Sequence, residues 1–209
     1  MIARRMARRY QIAKWGKSMR NRRLLIVIAI CGVAAPGGCG GATPKASSER
    51  DPKTIWEKIG EAGDMITCRS LEEVSAAPLE KARALHLWGV LADDKAWARI
   101  TAGNRLEAIG FRETEIAPEV FARLAHLPSL RFLTIHDCKI PQGAWAGLKG
   151  SGIEELNVVD MSFDDAALEA VGSMPRLRWL MIGCPKVTVG ARDRFARAHE
   201  TIKLTLMSW

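Results

Sequence analysis

The side chains able to do chemistry in this 209-residue chain are few and scattered. The four histidines are His86, His126, His136 and His199. They fit no HExxH spacing, and the chain has no GxSxG or phosphate-loop pattern. The five cysteines, Cys31, Cys39, Cys68, Cys138 and Cys184, form no CxxC pair and no metal-binding spacing. They do not outline a disulfide framework either. Cys138 follows His136 by two residues, a spacing that puts a thiol and a base on one face of a strand, yet it reads as a packed structural thiol rather than a nucleophile. Glu113, Asp137 and Asp160 recur at steps of 24 and 23 residues and could line up as a carboxylate column for a divalent cation. No enclosing ligand shell accompanies them, so they read as solubilising turn residues. The reading calls for no catalytic residue, no metal and no cofactor.

A second set has the chemistry of recognition. Trp88, Arg112 and His136 follow one another at 24-residue steps, and Phe132, Trp179 and His86 lie at neighbouring repeat positions. Aromatic rings beside Arg and His are the composition of interaction hot spots. The competing reading is that these rings pack on one another or under a loop, because apolar rings on a solvent-facing sheet are costly unless covered.

The elements that must position these residues repeat. The stretches ARALHL, LEAIGF, LRFLTI, IEELNV, LRWLMI and TIKLTL begin at Ala82, Leu106, Leu130, Ile153, Leu177 and Thr201, in steps of 24, 24, 23, 24 and 24 residues. In each, the first, fourth and sixth positions are apolar or small and point to a core. The pattern LxxLxL with Cys138 at its ninth position resembles the leucine-rich repeat family, over residues 80–209. The other ninth positions, Val90, Thr114, Met161, Pro185 and Trp209, depart from that family's Asn or Cys. The resemblance, closest to the irregular ribonuclease-inhibitor-like type, implies an α/β fold. Its form is a right-handed solenoid with a parallel sheet on the concave face and helices on the convex face. It also implies that positions two, three, five, seven and eight line the concave face.

The rest of each unit is legible from spacing. Ile116, Ile140, Phe163 and Val187 stand at the eleventh position, and the pairs Trp97/Ile100, Phe121/Leu124, Trp145/Leu148 and Leu168/Val171 have helical spacing and face inward. Pro118, and Ser162 or Asp164, mark helix starts, while Gly103, Gly150 and Gly172 mark helix exits. The fifth unit places Arg192 where others carry a large apolar residue, which predicts looser packing or a shift of register. Position two alternates Arg83, Glu107, Arg131, Glu154 and Arg178 and predicts a lateral row of ion pairs. Residues 54–80 read as an N-terminal cap of two short helices. Residues 201–209 read as an edge strand able to accept a second copy or a peptide.

The charge is uneven. Of 31 Lys and Arg, nine fall in residues 1–23 without any acid, leaving 22 basic against 23 acidic residues. The body of the chain therefore carries no basic field to attract nucleic acid. Leu24–Ala35 is twelve apolar or small residues, short of a bilayer-spanning helix and fitting a signal-peptide core. Met19 offers an alternative start. The sequence APGGCGG resembles the processing site of bacterial lipoproteins, which implies that Cys39 is lipidated and becomes the mature N-terminus. Secretory cleavage after Ala35 and a mitochondrial presequence are the other readings of this segment.

The organisation is then a targeting segment (1–38), a flexible polar tether (39–53), an N-terminal helical cap (54–80) and a repeat domain (81–209). The reading is a non-enzymatic module that binds a protein or peptide at a bacterial envelope surface. It is membrane-anchored by lipid and binds no nucleic acid. Its anchors are Trp88, Arg112, Phe132, His136, Trp179 and His86, over the first three or four strands. The alternatives are a structural component of an envelope assembly or, with less support, a metal-dependent enzyme.

Overall fold

In the computed structural model the described residues are 54–102 and 105–207. The targeting segment, Cys39, the tether, Gly103 and Trp209 lie outside them. The repeat sets the architecture. Parallel strands β1 (Met65–Cys68), β2 (Ala84–Trp88), β3 (Ala108–Arg112), β4 (Phe132–His136), β5 (Glu155–Val159), β6 (Trp179–Ile182) and β7 (Lys203–Leu206) form one seven-stranded sheet in chain order. Every connection carries a helix, as parallel neighbours require. These are α2 (Leu71–Ala76), α3 (Asp94–Ala102), α4 (Pro118–Ala125), a 3₁₀ turn (Ala144–Leu148), α5 (Asp165–Gly172) and α6 (Val189–Ala198).

Register follows the apolar pattern, because a one-residue slip would turn each leucine from core to solvent. Leu85, Ile109, Leu133, Leu156, Leu180 and Leu204 pair across the sheet in one row, extended by Ile66 on β1. All from Leu85 to Leu180 are buried. The helical halves pack on this side. The inward pairs named above are buried, and Trp145 stacks between Phe121 and Phe163, with ring centroids 5.1 and 4.9 Å away. On β7 the pattern persists but the burial does not: Leu206 is 50% exposed where its sixth-position counterparts are buried.

Four readings need correction or refinement. Residues 54–80 are not two helices alone. They include β1, which pairs in register with β2 and carries Cys68 at the sixth position. The sequence conceals this unit because its first position is Gly63 and the step to the next unit is shorter. Gly172 is the last residue of α5 rather than an exit turn. A Cβ there would lie 2.6 Å from His199 Nε2 and 3.0 Å from Phe195 Cε2, so the glycine lets α6 approach. Asp164, not Ser162, caps α5, accepting from Ala167 N–H. The Arg192 conflict resolves by a register shift: Ala191 and Phe195 are the buried residues of α6.

The helix α1 (Ile55–Ala62) goes to the other face of the sheet. TIWE forms a capping box, with Glu57 N–H donating to Thr54 Oγ1 and Thr54 N–H to the Glu57 carboxylate. Gly63, at φ 79°, ends the helix in the left-handed conformation. Its apolar residues Ile55, Trp56 and Ile59 form a second, smaller core with Met65, Ala84, Ala108 and Phe132, which point away from the leucine row.

A candidate recognition row at the carboxyl ends of the strands

Small residues decide where α1 lies. Third positions Ala84 and Ala108 and fifth position Gly110 hollow out the face of β2 and β3. A Cβ at Gly110 would lie 2.9 Å from His86 Cδ2, 2.9 Å from Thr134 Cγ2 and 3.0 Å from Trp56 Cη2. The Trp56 ring therefore sits in space that only glycine leaves free. It meets His86 edge-on at 5.8 Å and Phe132 at 5.5 Å. The start of the helix is tied to β5 by Ile55 N–H donating to Glu155 Oε2 at 3.1 Å. Burial pushes the Glu155 carboxyl above its ordinary range, partly offset by that bond.

This placement divides the residues singled out for recognition. Phe132 is only 5% exposed, covered by Trp56, and offers nothing to a partner while α1 is in place. The sequence reading of Phe132 as an exposed anchor is corrected on that ground. His86 lies between Trp56 and Trp88. Trp179 is apart from the others, on β6; its indole donates to Thr205 Oγ1 at 2.9 Å and its ring lies 5.4 Å from Lys203 Nζ.

Trp88, Arg112 and His136 come together as adjacent rungs of the seventh-position row, paired across β2, β3 and β4, and all are half-buried. Arg69, which follows Cys68 at the end of β1, continues the row on the other side. The guanidinium carbon of Arg112 lies 4.6 Å and that of Arg69 4.9 Å from the centre of the Trp88 ring. Glu113 clasps the pair. It accepts from Trp88 Nε1 at 3.0 Å and from Arg112 Nε at 3.1 Å, and these bonds hold its carboxyl below the usual range. Glu113 has φ 52°, and Asp137 has φ 50° at the equivalent place in the next unit, so the left-handed turn belongs to the repeat. Such backbone costs a non-glycine residue on the order of 1 kcal/mol. His86 and His136 are both held below the ordinary histidine range, first by burial and then by the positive Arg112 nearby.

The carboxylate column does not assemble. Glu113 is bound to Trp88 and Arg112. Asp160, 2% exposed, accepts from Cys138 N–H at 2.5 Å and from both the N–H and the hydroxyl of Ser162. Asp160 thus ties two turns together, while Thr114 does so from a ninth position by donating to Val90 O. Among the described residues no group of three metal-ligating side chains stands together. Burial pushes the Cys138 thiol up to about 11, so it stays protonated at neutral pH. The position-two row forms in two pieces. Arg83 makes a bidentate pair with Glu107 at 2.7 and 2.8 Å and approaches Asp64, and Arg131 meets Glu154 at 3.4 Å.

Sequence reasoning missed Arg69, Trp56 and the trough. The signal for the trough was a glycine inside a strand, which marks close approach of another segment. No protein-family model matches the chain, and no curated protein matches its sequence. Among the described residues no helix is long and apolar enough to cross a membrane.

Proposed function

We propose that the chain is a leucine-rich-repeat-type solenoid, right-handed with its sheet on the concave side, acting as a non-enzymatic protein- or peptide-binding module at a bacterial envelope surface. The observation that carries the reading is the half-exposed row of Trp88, Arg112 and His136, the first two fixed by Glu113 and none of the three part of the small core under α1. A rigid indole flanked by guanidinium groups loses little side-chain entropy on binding. Trp179 with Lys203 is a second, separate contact on the same face. The direct test is capture of envelope proteins on the immobilised chain. Trp88→Ala removes a partner that the wild-type chain retains, and unchanged capture discards this row as the site.

The structural-component reading is favoured by α1, which already covers the face of β2 to β4. Under that reading Trp88→Ala leaves capture unchanged. Attachment to the membrane through a lipid on Cys39 is part of the main proposal. Palmitate labelling lost on Cys39→Ser supports it, and labelling that persists refutes Cys39 as the site.

A further inference from the structure

Resting on that binding reading, we infer that the seventh-position row receives an acidic segment of the partner, with Arg69 and Arg112 on either side of Trp88 taking its carboxylates. The row reads guanidinium, indole, guanidinium, imidazole along four neighbouring strands, at ~4.8 Å per strand. Both guanidinium groups lie against one ring. That ring is itself fixed by its bond to Glu113. The two cations are therefore pre-positioned, and neither has to be gathered from solvent when a ligand arrives.

Their donors are largely unspent. Arg112 uses Nε on Glu113, and among the described residues its terminal nitrogens make no hydrogen bond. The Arg69 guanidinium makes no hydrogen bond or ion pair among the described residues. Its backbone N–H, not its side chain, is what bonds Glu73. A planar fork with free N–H groups matches a carboxylate in two-point geometry. The field is positive at the Arg69–Trp88–Arg112 end, where Arg112 and Arg69 both disfavour the charged form of His86; at His136 the effect of Arg112 is opposed by Asp137 and Asp160. Trp88, Arg112 and His136 are the last residues of β2, β3 and β4, and Arg69 is the first past β1, so the four side chains share one edge of the sheet. The four rungs span ~14 Å, the reach of four or five extended residues. A short run of Asp or Glu fits that span, whereas a single small anion engages one rung.

The test uses hexaglutamate as probe and the full chain as protein. Residues 1–23 carry nine Lys and Arg that bind any polyanion, so the readout must be local. The Trp88 indole N–H resonance, assigned with Trp88→Phe, is followed during titration at low salt. It is expected to shift saturably, with affinity about tenfold weaker in Arg69→Ala and in Arg112→Ala, as for loss of a charge-assisted hydrogen bond. The exposed Arg197 on α6 serves as control, and Arg197→Ala is expected to leave the titration unchanged. Glu113→Gln keeps an acceptor for Trp88 but removes the competing charge, so it is expected to tighten binding. A purely structural clasp would not produce that gain.

No shift at millimolar hexaglutamate overturns the proposal, as does an affinity unchanged from wild type in both arginine variants. An equal response to inorganic phosphate also overturns it, since the site is then a single-anion site. If Trp88→Ala loses the envelope partner while hexaglutamate gives no shift, only the acidic character fails and the binding reading stands. If capture is unaffected as well, both fail.

Discussion

Trp56→Ala tests whether α1 is held on the sheet by one ring in the trough. Trp56 is half-buried. An aromatic ring of this kind contributes about half of 150–250 Å² of buried area, near 2.5 kcal/mol at about 25 cal/mol per Å². The ring pairs with His86 and Phe132 add about 0.5–1.5 kcal/mol each. Part of this is recovered as α1 resettles and water reaches Phe132, so a net loss of about 3 kcal/mol is the working figure. The main core does not include these residues, so the loss falls on α1 alone. Native-state hydrogen exchange reads it directly. Amides within α1, beginning with Lys58, which donates to Thr54 O, should exchange roughly a hundredfold faster. The amides of β3 to β5 should keep their wild-type rates. Unchanged exchange in α1 would mean that the ring does not hold the helix. Equal acceleration across the sheet would mean that α1 and the repeat core open as one unit, and the two-core description would be wrong.

Gly110→Ala should destabilise the domain by about 1–3 kcal/mol, because its Cβ meets His86, Thr134 and Trp56 at 3.0 Å or less. The loss should be smaller in a Trp56→Ala background, and thermal melts of the two singles and the double measure the coupling. Asp160→Ala leaves the buried Cys138 N–H without its acceptor and should cost about 1–3 kcal/mol in denaturant unfolding; an unchanged midpoint would remove Asp160 from the account of the turns. His86 and His136 have depressed folded-state values, so the unfolded chain takes up protons first. Their contribution is complete above about pH 6.5 and is lost as pH falls through the folded values. Melting temperature should therefore fall on acidification across that range, and less steeply in His86→Gln; parallel curves would rule out His86 as a source.

The periodic part of the molecule was legible in the order of its residues. A leucine row at steps of 23 or 24 residues is a local signal repeated, and each copy constrains the next through strand register. The buried column from Leu85 to Leu180, the inward pairs such as Phe121 and Leu124, and the position-two charges at Arg83 and Glu107 could be placed from spacing alone. The Arg192 register shift was flagged by the one residue that breaks the pattern.

What covers the sheet was settled by contacts between distant segments. Trp56 meets Gly110, Ala108 and Phe132, residues some 50 to 75 positions away, through shape rather than periodicity. Small residues in a strand say that something approaches, but not which segment. The same is true of Arg69: its strand was hidden by a shortened step, and its place beside Trp88 appeared only once β1 was paired with β2. Periodic burial is written into neighbouring residues, whereas the fit of one ring into a trough depends on chain segments that folding alone brings together.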